Sequence, residues 1–504
     1  MAVASAMLVH PSVTLGSDPF FLLAAGEDEP VAVAATVGKL LYTRPLCGRT
    51  RSVMSVDATG SVSEFARLPD RLPGVGGEPP CFEDHLTIVP AGTTGAASAG
   101  FPTPNPAGFA SNYIYVTQGP TILQITPDGA QTVVWKTLPM NPDRPGKRFC
   151  DDDVAAVHHA GTSITFDRVG TFRFRMIVLC QTGEIFLLDK SARIVDGSVT
   201  GVETNLPIAR VNAPPLFSQL PPPFEGPEVA PMSFAPFGGH LLVAAENASD
   251  GSGSTGLVLA VKPEDGTVRI VARNVMAAEG VRAIPLTKAA MCNFGGQGIF
   301  FTTGFPDRII RIAKTAFLDQ SSSPLSGVLV TSEKGALGAT EGLTRLFSTG
   351  GTINRQLFRS FDAPLEGATF VDCSVPLIVR LDYFKPVDFT QQLIAVTILS
   401  NPPLLNAATD IVRSTLRFGV TGSEPSLNFV GGVPDCTPIS GALQCNFKVN
   451  LLGVPLGPDT AQPCDNSNQF PGPGFKDGDC PFSLILKGSY VNAATGNDPP
   501  LEGD

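Results

Sequence analysis

The feature that most constrains the fold is a pair of short strands that recurs six times along the chain. The first strand of each pair is a short apolar run: KLLYTRP from Lys39, YIYVTQ from Tyr113, MIVLCQ from Met176, LLVAAE from Leu241, IFFTTG from Ile299 and VLVTSE from Val328. A second strand follows, often through a PDG or EDG turn in which glycine supplies the positive φ of a hairpin. Helical periodicity is almost absent, so the pattern predicts an all-β chain.

A third element precedes the strand pair in several copies. It begins with polar residues or glycine and then becomes apolar, as in HHAGTSITF at His158, EGPEVAPMSF at Glu225, EGVRAIP at Glu279 and EGATFVD at Glu366. Repeated units of this kind predict four-stranded blades arranged as a six-bladed β-propeller. The first pair has only VAVAAT before it, and EGATFVD has no pair after it. We therefore expect the C-terminal strand to complete the N-terminal blade, which removes exposed sheet edges.

Composition excludes several classes of protein. The 504 residues carry 35 Lys and Arg against 46 Asp and Glu, a net charge of −11, which disfavours nucleic acid as a partner because phosphate binding needs a basic surface. No apolar run reaches 18 residues, so we expect no membrane span. The 52 glycines and 46 prolines suit a chain with many strand reversals.

Two long segments carry a resemblance to known proteins. The segments ITFDRVGTFRFRMIVLCQTGEIFLLD and VAPMSFAPFGGHLLVAAEN resemble the six-bladed propellers of the NHL and gluconolactonase-like class, especially its extracellular bacterial members of unassigned function. The resemblance covers about residues 27–375. It implies an N-terminal segment at 1–26, a propeller at 27–375 and a further domain at 376–504.

The last domain is predicted to be a small β-sandwich-like module. Its segments VRLDYFKPVDFTQQLIAVTILS and LILKGSYVN are similar to a module at the C-terminus of secreted bacterial proteins. That module often carries an acidic D-x-N-G-D-G loop suited to calcium. Here the corresponding stretch is VPDCTPISGALQCNFKV, so no calcium site is expected in it, and a disulfide could fix the loop instead.

The ten cysteines form no C-x-x-C pair, which disfavours zinc-ribbon and thioredoxin-type sites. Their even number and wide spacing favour disulfides and a secreted or extracytoplasmic location; the alternative is a cytosolic protein with buried free thiols. Cys436 with Cys445, and Cys464 with Cys480, flank short loops and are the disulfide candidates. The first 30 residues lack a basic region and a clean apolar core, so they do not read as a signal peptide.

The polar starts of the inner strands are the candidate functional residues. In a propeller these starts converge near one mouth of the central channel, and carboxylates brought together repel one another unless a cation or a proton lies between them. Glu225, Glu279, Glu366 and Asp84 are therefore candidate ligands of a channel metal, and Ca²⁺ suits such oxygen ligands. Two histidines are candidate catalytic bases, namely His85 and His159. The alternative is that these residues cap strands or line a solvated tunnel.

Two functions follow from these residues. The leading hypothesis is a secreted, monomeric binding or scaffold protein with a cation in the channel, whose ligand is a small molecule, a glycan or a protein. The alternative comes from the resemblance, because Glu225-Gly226-Pro227 matches the E-G-P strand start of gluconolactonases. It implies a calcium-dependent lactonase or esterase-type hydrolase, although the Asn-Gly and Ser-Asp-Gly starts of those enzymes have no counterpart here. No phosphate-binding loop is present, so no nucleotide cofactor is expected.

Overall fold

A computed structural model gives the arrangement of the strands. It describes residues 20–25, 30–44, 52–69, 83–89, 92–93, 101–102, 109, 112–151, 162–198, 201–211, 223–246, 256–263, 265–275, 277–286, 290–304, 307–332, 342–361, 364–372, 375–376, 378–381, 393–399, 411–419, 427–439, 442–448, 485–490 and 500–503.

The described residues up to 372 include 27 strands and one short 3₁₀ helix, Lys314–Phe317. In chain order the strands are β1 (Phe20–Ala25), β2 (Val33–Ala35), β3 (Leu40–Thr43), β4 (Ser52–Val56), β5 (Val62–Arg67), β6 (Leu86–Ile88), β7 (Gly92–Thr93), β8 (Phe101–Pro102), β9 (Ile114–Gln118), β10 (Thr121–Ile125), β11 (Thr132–Thr137), β12 (Thr162–Phe166), β13 (Met176–Cys180), β14 (Glu184–Leu188), β15 (Ile194–Val195), β16 (Ala209–Arg210), β17 (Phe224–Val229), β18 (Leu241–Ala245), β19 (Leu257–Val261), β20 (Val268–Arg273), β21 (Ala278–Ala283), β22 (Phe300–Gly304), β23 (Arg308–Ile312), β24 (Val328–Ser332), β25 (Gly342–Thr349), β26 (Thr352–Ser360) and β27 (Leu365–Phe370).

Strands β7 and β8 pair only with each other, in parallel, and the other 25 strands form six antiparallel sheets, each built on a path of four strands. From the innermost strand outwards they are sheet I (β2-β3-β4-β5), sheet II (β6-β9-β10-β11), sheet III (β12-β13-β14-β15, with β16 also paired to β14), sheet IV (β17-β18-β19-β20), sheet V (β21-β24-β25-β26) and sheet VI (β27-β22-β23-β1). The six inner strands touch in order around a closed ring, because β27 contacts β2 as well as β21. This is the arrangement of a β-propeller, and the prediction of an all-β fold is confirmed.

The apolar runs fill both faces of each sheet. All five residues of β13 are buried, and successive side chains of a strand point to opposite faces. Val178 accordingly packs in a cluster with Tyr115 of sheet II, whereas Ile177 packs with Leu241 of sheet IV. The hydrophobic core is therefore distributed between neighbouring sheets around the ring.

Sheets V and VI exchange strands in a way that the sequence did not suggest. After β21 the chain forms β22 and β23 of sheet VI, returns to complete sheet V with β24 to β26, and then supplies β27 as the inner strand of sheet VI. The strand at Glu279 therefore pairs with Val328–Ser332 and not with the pair that follows it directly. Both pairs offer similar apolar faces, so local sequence does not distinguish them.

Ring closure also differs in detail from the expectation. The C-terminal strand β27 pairs with β22, and β1 from the start of the chain pairs with β23 in the same sheet. The Lys39 pair instead takes Val33–Ala35, from the weak VAVAAT segment, as its inner strand. That strand has three buried apolar residues and no polar start, which is why the repeat pattern did not reveal it.

The remaining strands lie in the C-terminal part of the chain. They are β28 (Val375–Pro376), β29 (Ile378–Leu381), β30 (Leu393–Leu399), β31 (Ile411–Gly419), β32 (Phe429–Val430), β33 (Val433–Pro434), β34 (Cys436–Ile439), β35 (Ala442–Lys448), β36 (Ile485–Tyr490) and β37 (Pro500–Gly503). They form two four-stranded sheets, β29-β30-β35-β34 and β28-β37-β36-β31, and the β32-β33 hairpin.

Disulfides join several of the described cysteines. Cys436 and Cys445 are bonded, as the sequence predicted, and pair across strands β34 and β35. A second disulfide joins Cys150 and Cys180, and Cys292 is also disulfide-bonded. The predicted pairing of Cys464 with Cys480 lies outside the described residues.

Disulfides of this kind are typical of oxidising compartments. Within the described ranges, no helix combines the length and the apolar character that crossing a membrane requires.

Candidate functional site

Three consecutive inner strands bring a Glu-Gly pair to the channel. Glu225-Gly226, Glu279-Gly280 and Glu366-Gly367 belong to β17, β21 and β27. The pairing register of each of these strands with its neighbour is irregular at this point. Such bulges bend a strand and redirect its side chains.

The glycines are required because the inner strands approach one another closely at the axis. Gly226 has φ +50°, and a Cβ built on it would lie 2.2 Å from the Cα of Gly280. A Cβ on Gly367 would lie 2.4 Å from the carbonyl oxygen of Val31 in the neighbouring sheet. The repeated Glu-Gly pair therefore combines a side chain for the channel with the space that the next strand needs.

Sheet II contributes two further side chains from the segment just before β6. Glu83 and His85 are separated by one residue and share a face of the extended chain, whereas Asp84 points to the other face. Their side chains approach each other, with Glu83 Oε2 3.9 Å from His85 Nε2. Asp84 is also buried, but its backbone oxygen accepts a hydrogen bond from Thr43 Oγ1 of sheet I.

Glu83 and His85 meet Glu225 at the channel. One ligand atom from each of the three lies within 4.8 Å of the others. Glu225 Oε1 also accepts a hydrogen bond of 2.7 Å from Gln181 Nε2, at the end of β13. Glu83 and Glu225 are buried, at 7% and 4% exposure, so two carboxyl groups lie side by side in a poorly solvated space.

Electrostatics of the site favour a proton or a cation. Burial raises the pKa of Glu225 well above its usual range, and the charges of Glu83 and Glu246 raise it further. Hydrogen bonds from Gln181 and with the side chain of Glu279 oppose this rise. Two carboxyl groups that share a hydrogen bond need one proton between them unless a cation takes its place.

The imidazole of His85 is neutral at physiological pH and can therefore act as a metal ligand. Burial lowers the pKa of His85 to about 4, and the charge of Glu83 only partly offsets this. Its Nε2 atom is shielded from solvent and has no hydrogen-bond partner among the described residues. A neutral imidazole with an available ring nitrogen is the form that binds metal ions.

The spacing of the three side chains fits one ion. Ligand atoms bound to the same divalent cation at 2.0–2.6 Å lie no more than roughly 4 to 5 Å apart, which is consistent with the separation of up to 4.8 Å observed here. Two carboxylates and one imidazole form the donor set. Small side-chain rotations would bring all three donors to one centre.

The predicted site residues are distributed as follows. Glu279 adjoins Glu225 through their hydrogen bond. Glu366 lines the same cavity, whose space counted out to the surrounding solvent is about 390 Å³, without belonging to the group of three. Asp84 lies on the opposite face of its strand, and His159 lies outside the described residues. Sequence reasoning missed Glu83, although its alternation with His85 was a usable signal.

Gln181 was also missed. It directly follows the second strand of sheet III, where the repeat places a polar residue in several copies, as in YVTQ, VLCQ and VAAE. These strand ends lie beside the starts of the inner strands because the two strands are antiparallel.

The other end of the channel has a different character. Arg168 Nη1 forms a 2.8 Å ion pair with Asp372 Oδ2 there, and Glu228 and Arg282 lie deeper inside. Arg282 lines both the cavity at the Glu-Gly end and the cavity at this end. We call the first the acidic mouth and the second the distal funnel.

Comparisons with known proteins give no family. No protein-family model matches the chain, and no curated protein matches it. A search of solved structures found a chain of a nidogen/laminin complex, with 12% identity, coverage of 67% of this chain and 97% of that chain, and a TM-score of 0.25. It also found the BP39L lectin of Burkholderia pseudomallei, with 10% identity, coverage of 74% of this chain and 93% of that chain, and a TM-score of 0.29. A third match is regucalcin of Agrobacterium tumefaciens str. C58, described as a calcium-binding protein, with 13% identity, coverage of 62% of this chain and 86% of that chain, and a TM-score of 0.21. Similarity at this level supports no statement about the function of this chain.

Proposed function

We propose that this protein is a binding protein whose acidic mouth holds a divalent cation, with Glu83, His85 and Glu225 as its ligands. The observation that carries the proposal is the convergence of these three side chains within 4.8 Å, together with the shielded Nε2 of His85, which has no hydrogen-bond partner in the described part of the chain. Burial of two carboxylates side by side is unfavourable unless a positive charge compensates them.

The nature of the cation follows from the donors. Carboxylate oxygens suit Ca²⁺, the ion expected from the sequence, and also Mn²⁺, whereas an imidazole nitrogen is better suited to Zn²⁺. Glu279 shares a hydrogen bond with Glu225 and is the nearest further source of an oxygen ligand, and Glu366 lines the same cavity. We therefore keep the proposal at the level of a divalent cation and test the three ions side by side.

The test is a metal titration of the purified full-length protein after chelator treatment, followed by calorimetry with Ca²⁺, Zn²⁺ and Mn²⁺. We expect one ion per chain, and Glu225→Gln and His85→Gln are each expected to weaken binding at least tenfold. Exposed Glu203 in sheet III provides the matched control, since Glu203→Gln should leave binding unchanged. Unchanged binding in both Glu225→Gln and His85→Gln would refute the assignment.

A metal-dependent lactonase or esterase-type hydrolase is the second candidate. It is favoured by the carboxyl group of Glu279 beside Glu225, because hydrolases of this type need a carboxylate base next to the metal. A panel of lactones and esters, assayed with the metal-loaded and the chelator-treated protein, separates the two functions. Turnover that disappears with chelator and in Glu279→Gln would support the hydrolase; absence of turnover in a metal-loaded protein would exclude it for that panel.

We further propose that the protein acts outside the cytoplasm and that its six sheets are six blades. The disulfides support the compartment, and the closed ring of inner strands supports the blade count. The division at residues 26/27 and 375/376 is likewise a proposal. In this division β1 lies in the N-terminal segment while pairing with β23 of sheet VI. Limited proteolysis with mass analysis of the fragments tests the second boundary.

A further inference from the structure

The distal funnel is a second cavity, which adjoins the cavity at the acidic mouth and shares Leu86, Ile164 and Arg282 with it. All six inner strands contribute to its wall, and its space, counted out to the surrounding solvent, is about 940 Å³. Apolar residues such as Val33, Ile88, Ile164, Val229 and Ile284 line the wall, and polar groups supply about half of its exposed surface. A concave apolar site with a few charged groups is the usual form of a small-molecule site.

Arg282 forms the floor of this funnel. Its guanidinium is held by backbone carbonyls, with Nε 2.5 Å from the oxygen of Ala368 and Nη1 2.7 Å from the oxygen of Val281. A longer contact of 3.4 Å joins Nη1 to the oxygen of Pro227. These bonds use Nε and Nη1 and fix the plane of the group, while Nη2 has no hydrogen-bond partner among the described residues.

The charge of Arg282 has no direct counter-ion. In the described part of the chain, no carboxylate forms an ion pair with it, and Glu228 acts on it only at longer range. Burial lowers the pKa of Arg282, which shows that the charged form is poorly solvated. A buried guanidinium without a paired carboxylate is costly, and an anionic ligand would relieve that cost.

The other charges of the funnel do not take this role. Arg168 and Asp372 are bonded to each other at 2.8 Å, so they neutralise each other locally. Glu228 is buried in the wall and, with a raised pKa of about 6, is ionised at neutral pH, so it partly offsets the charge of Arg282 from longer range. Among the described residues, therefore, no carboxylate forms a direct ion pair with Arg282, and Glu228 opposes its charge only at longer range.

We propose that the distal funnel binds a small carboxylate with a short apolar body, whose carboxylate contacts the Nη2 side of Arg282. The guanidinium supplies charge-assisted hydrogen bonds in a planar geometry that matches a carboxylate. The apolar part of the wall accepts the body of the ligand, whose removal from water favours binding. This site does not depend on the cation proposed at the acidic mouth.

The test uses hexanoate as the probe, with the full-length protein in chelator so that the acidic mouth carries no metal. Hexanamide has nearly the same shape without the charge, and acetate has the charge without the apolar body. We expect saturable binding of hexanoate by calorimetry or saturation-transfer NMR, and binding at least tenfold weaker for hexanamide and for acetate. Equal binding of hexanamide and hexanoate would overturn the role of Arg282.

Variants locate the site. Arg282→Gln should weaken hexanoate binding at least tenfold, whereas Arg269→Gln, on the exposed outer strand of sheet IV, should leave it unchanged. Because Arg282→Gln could destabilise the ring, Ala283→Leu is a second variant that keeps the guanidinium and adds bulk at the wall of the funnel. It should also abolish binding. Full affinity in a folded Arg282→Gln protein, full affinity in Ala283→Leu, or no hexanoate binding by the wild type would each overturn the proposal.

Discussion

Arg168 and Asp372 form a 2.8 Å ion pair although 204 positions separate them in the chain. Arg168 follows the inner strand of sheet III and Asp372 follows that of sheet VI, and these sheets face each other across the ring. The pair therefore spans the distal funnel. Asp372 is also tied to sheet I, because its backbone donates to Ala35 and accepts from Val37.

This pair is expected to stabilise the closed ring. The side chain of Asp372 is 4% exposed and that of Arg168 is 28% exposed, so the interaction lies between a surface pair and a buried one. We expect a coupling energy of about 1 to 2 kcal/mol from a double-mutant cycle with Arg168→Gln and Asp372→Asn, measured by urea unfolding. Strictly additive effects of the two substitutions would contradict the prediction.

Glu228 is expected to make stability depend on pH. Burial raises the pKa of Glu228 from the ordinary 4.5 to about 6, with Arg282 and Arg168 opposing the shift. Between these values the folded state binds more protons than the unfolded state, so the contribution of Glu228 to stability is present below pH 4.5 and is lost as the pH rises through 6.

Glu228→Gln should remove this dependence. Relative to the wild type, the variant is expected to gain about 2 kcal/mol in free energy of unfolding between pH 4 and pH 7. The difference between the two proteins is measured by urea unfolding at each pH, so that any constant effect of the amide cancels. A difference that does not change with pH would refute the prediction.

Gly226 is expected to be essential to the channel. Gly226→Ala introduces a Cβ only 2.2 Å from the Cα of Gly280, an overlap that the backbone of two inner strands must relieve. Gly350→Ala is a matched control, since Gly350 has a similar φ of +59° but nothing within 4 Å of the added atom.

Both substitutions cost about 1 kcal/mol for the positive φ. Gly226→Ala should lose more than about 3 kcal/mol in total, because displaced backbone is added to that cost. Thermal and urea unfolding compare the two variants, and metal titration shows whether Glu225 still reaches the site. Similar losses of unfolding free energy in the two variants would contradict the prediction, because they would show that the inner strands can move apart at little cost.

Asp167 is expected to hold the turn between β12 and β13. Its Oδ1 accepts hydrogen bonds from the backbone N–H groups of Val169 and Gly170, and its Oδ2 accepts those of Phe172 and Phe174. The carboxylate is fully buried. Asp167→Asn would place an amide NH₂ against two of these donors, at an expected cost of about 3 kcal/mol.

The exposed turn at Asp128 gives the comparison. Asp128 Oδ1 accepts hydrogen bonds from the N–H of Ala130 and from Thr126 Oγ1, and an asparagine oxygen can replace it. Asp128→Asn should therefore change the free energy of unfolding by less than about 1 kcal/mol. If Asp167→Asn were as mild in the same urea experiment, the four N–H groups would have other acceptors.

The two described disulfides should differ in their effect on stability. Cys150–Cys180 closes a loop of 30 residues, and Cys436–Cys445 closes a loop of 9. In the chain-entropy account, removal of the first costs about 3.6 kcal/mol and removal of the second about 2.6 kcal/mol. Paired Cys→Ser variants, compared by thermal unfolding, test the order; a larger loss from the shorter loop would contradict it.

The strands could be predicted from the sequence because their signals are local. Apolar runs such as MIVLCQ and LLVAAE correspond to β13 and β18, and the Glu-Gly starts at Glu225 and Glu279 do lie on inner strands. The same local pattern did not distinguish which pair completes which sheet, because the apolar faces of β22 and β24 are nearly equivalent. The exchange between sheets V and VI depends on contacts between distant parts of the chain.

The candidate site likewise combines features that the local sequence predicts with features that depend on contacts between distant parts of the chain. Sequence by itself determined an all-β chain with acidic strand starts, since alternation, turn residues and Glu-Gly pairs act over a few positions. Only the tertiary structure decided that Glu83, and not Asp84, joins His85 and Glu225, because the face on which a side chain lies depends on the pairing of its strand. It also decided the Arg168–Asp372 pair and the position of Arg282, since closing the ring is what brings inner strands from the whole propeller to one axis.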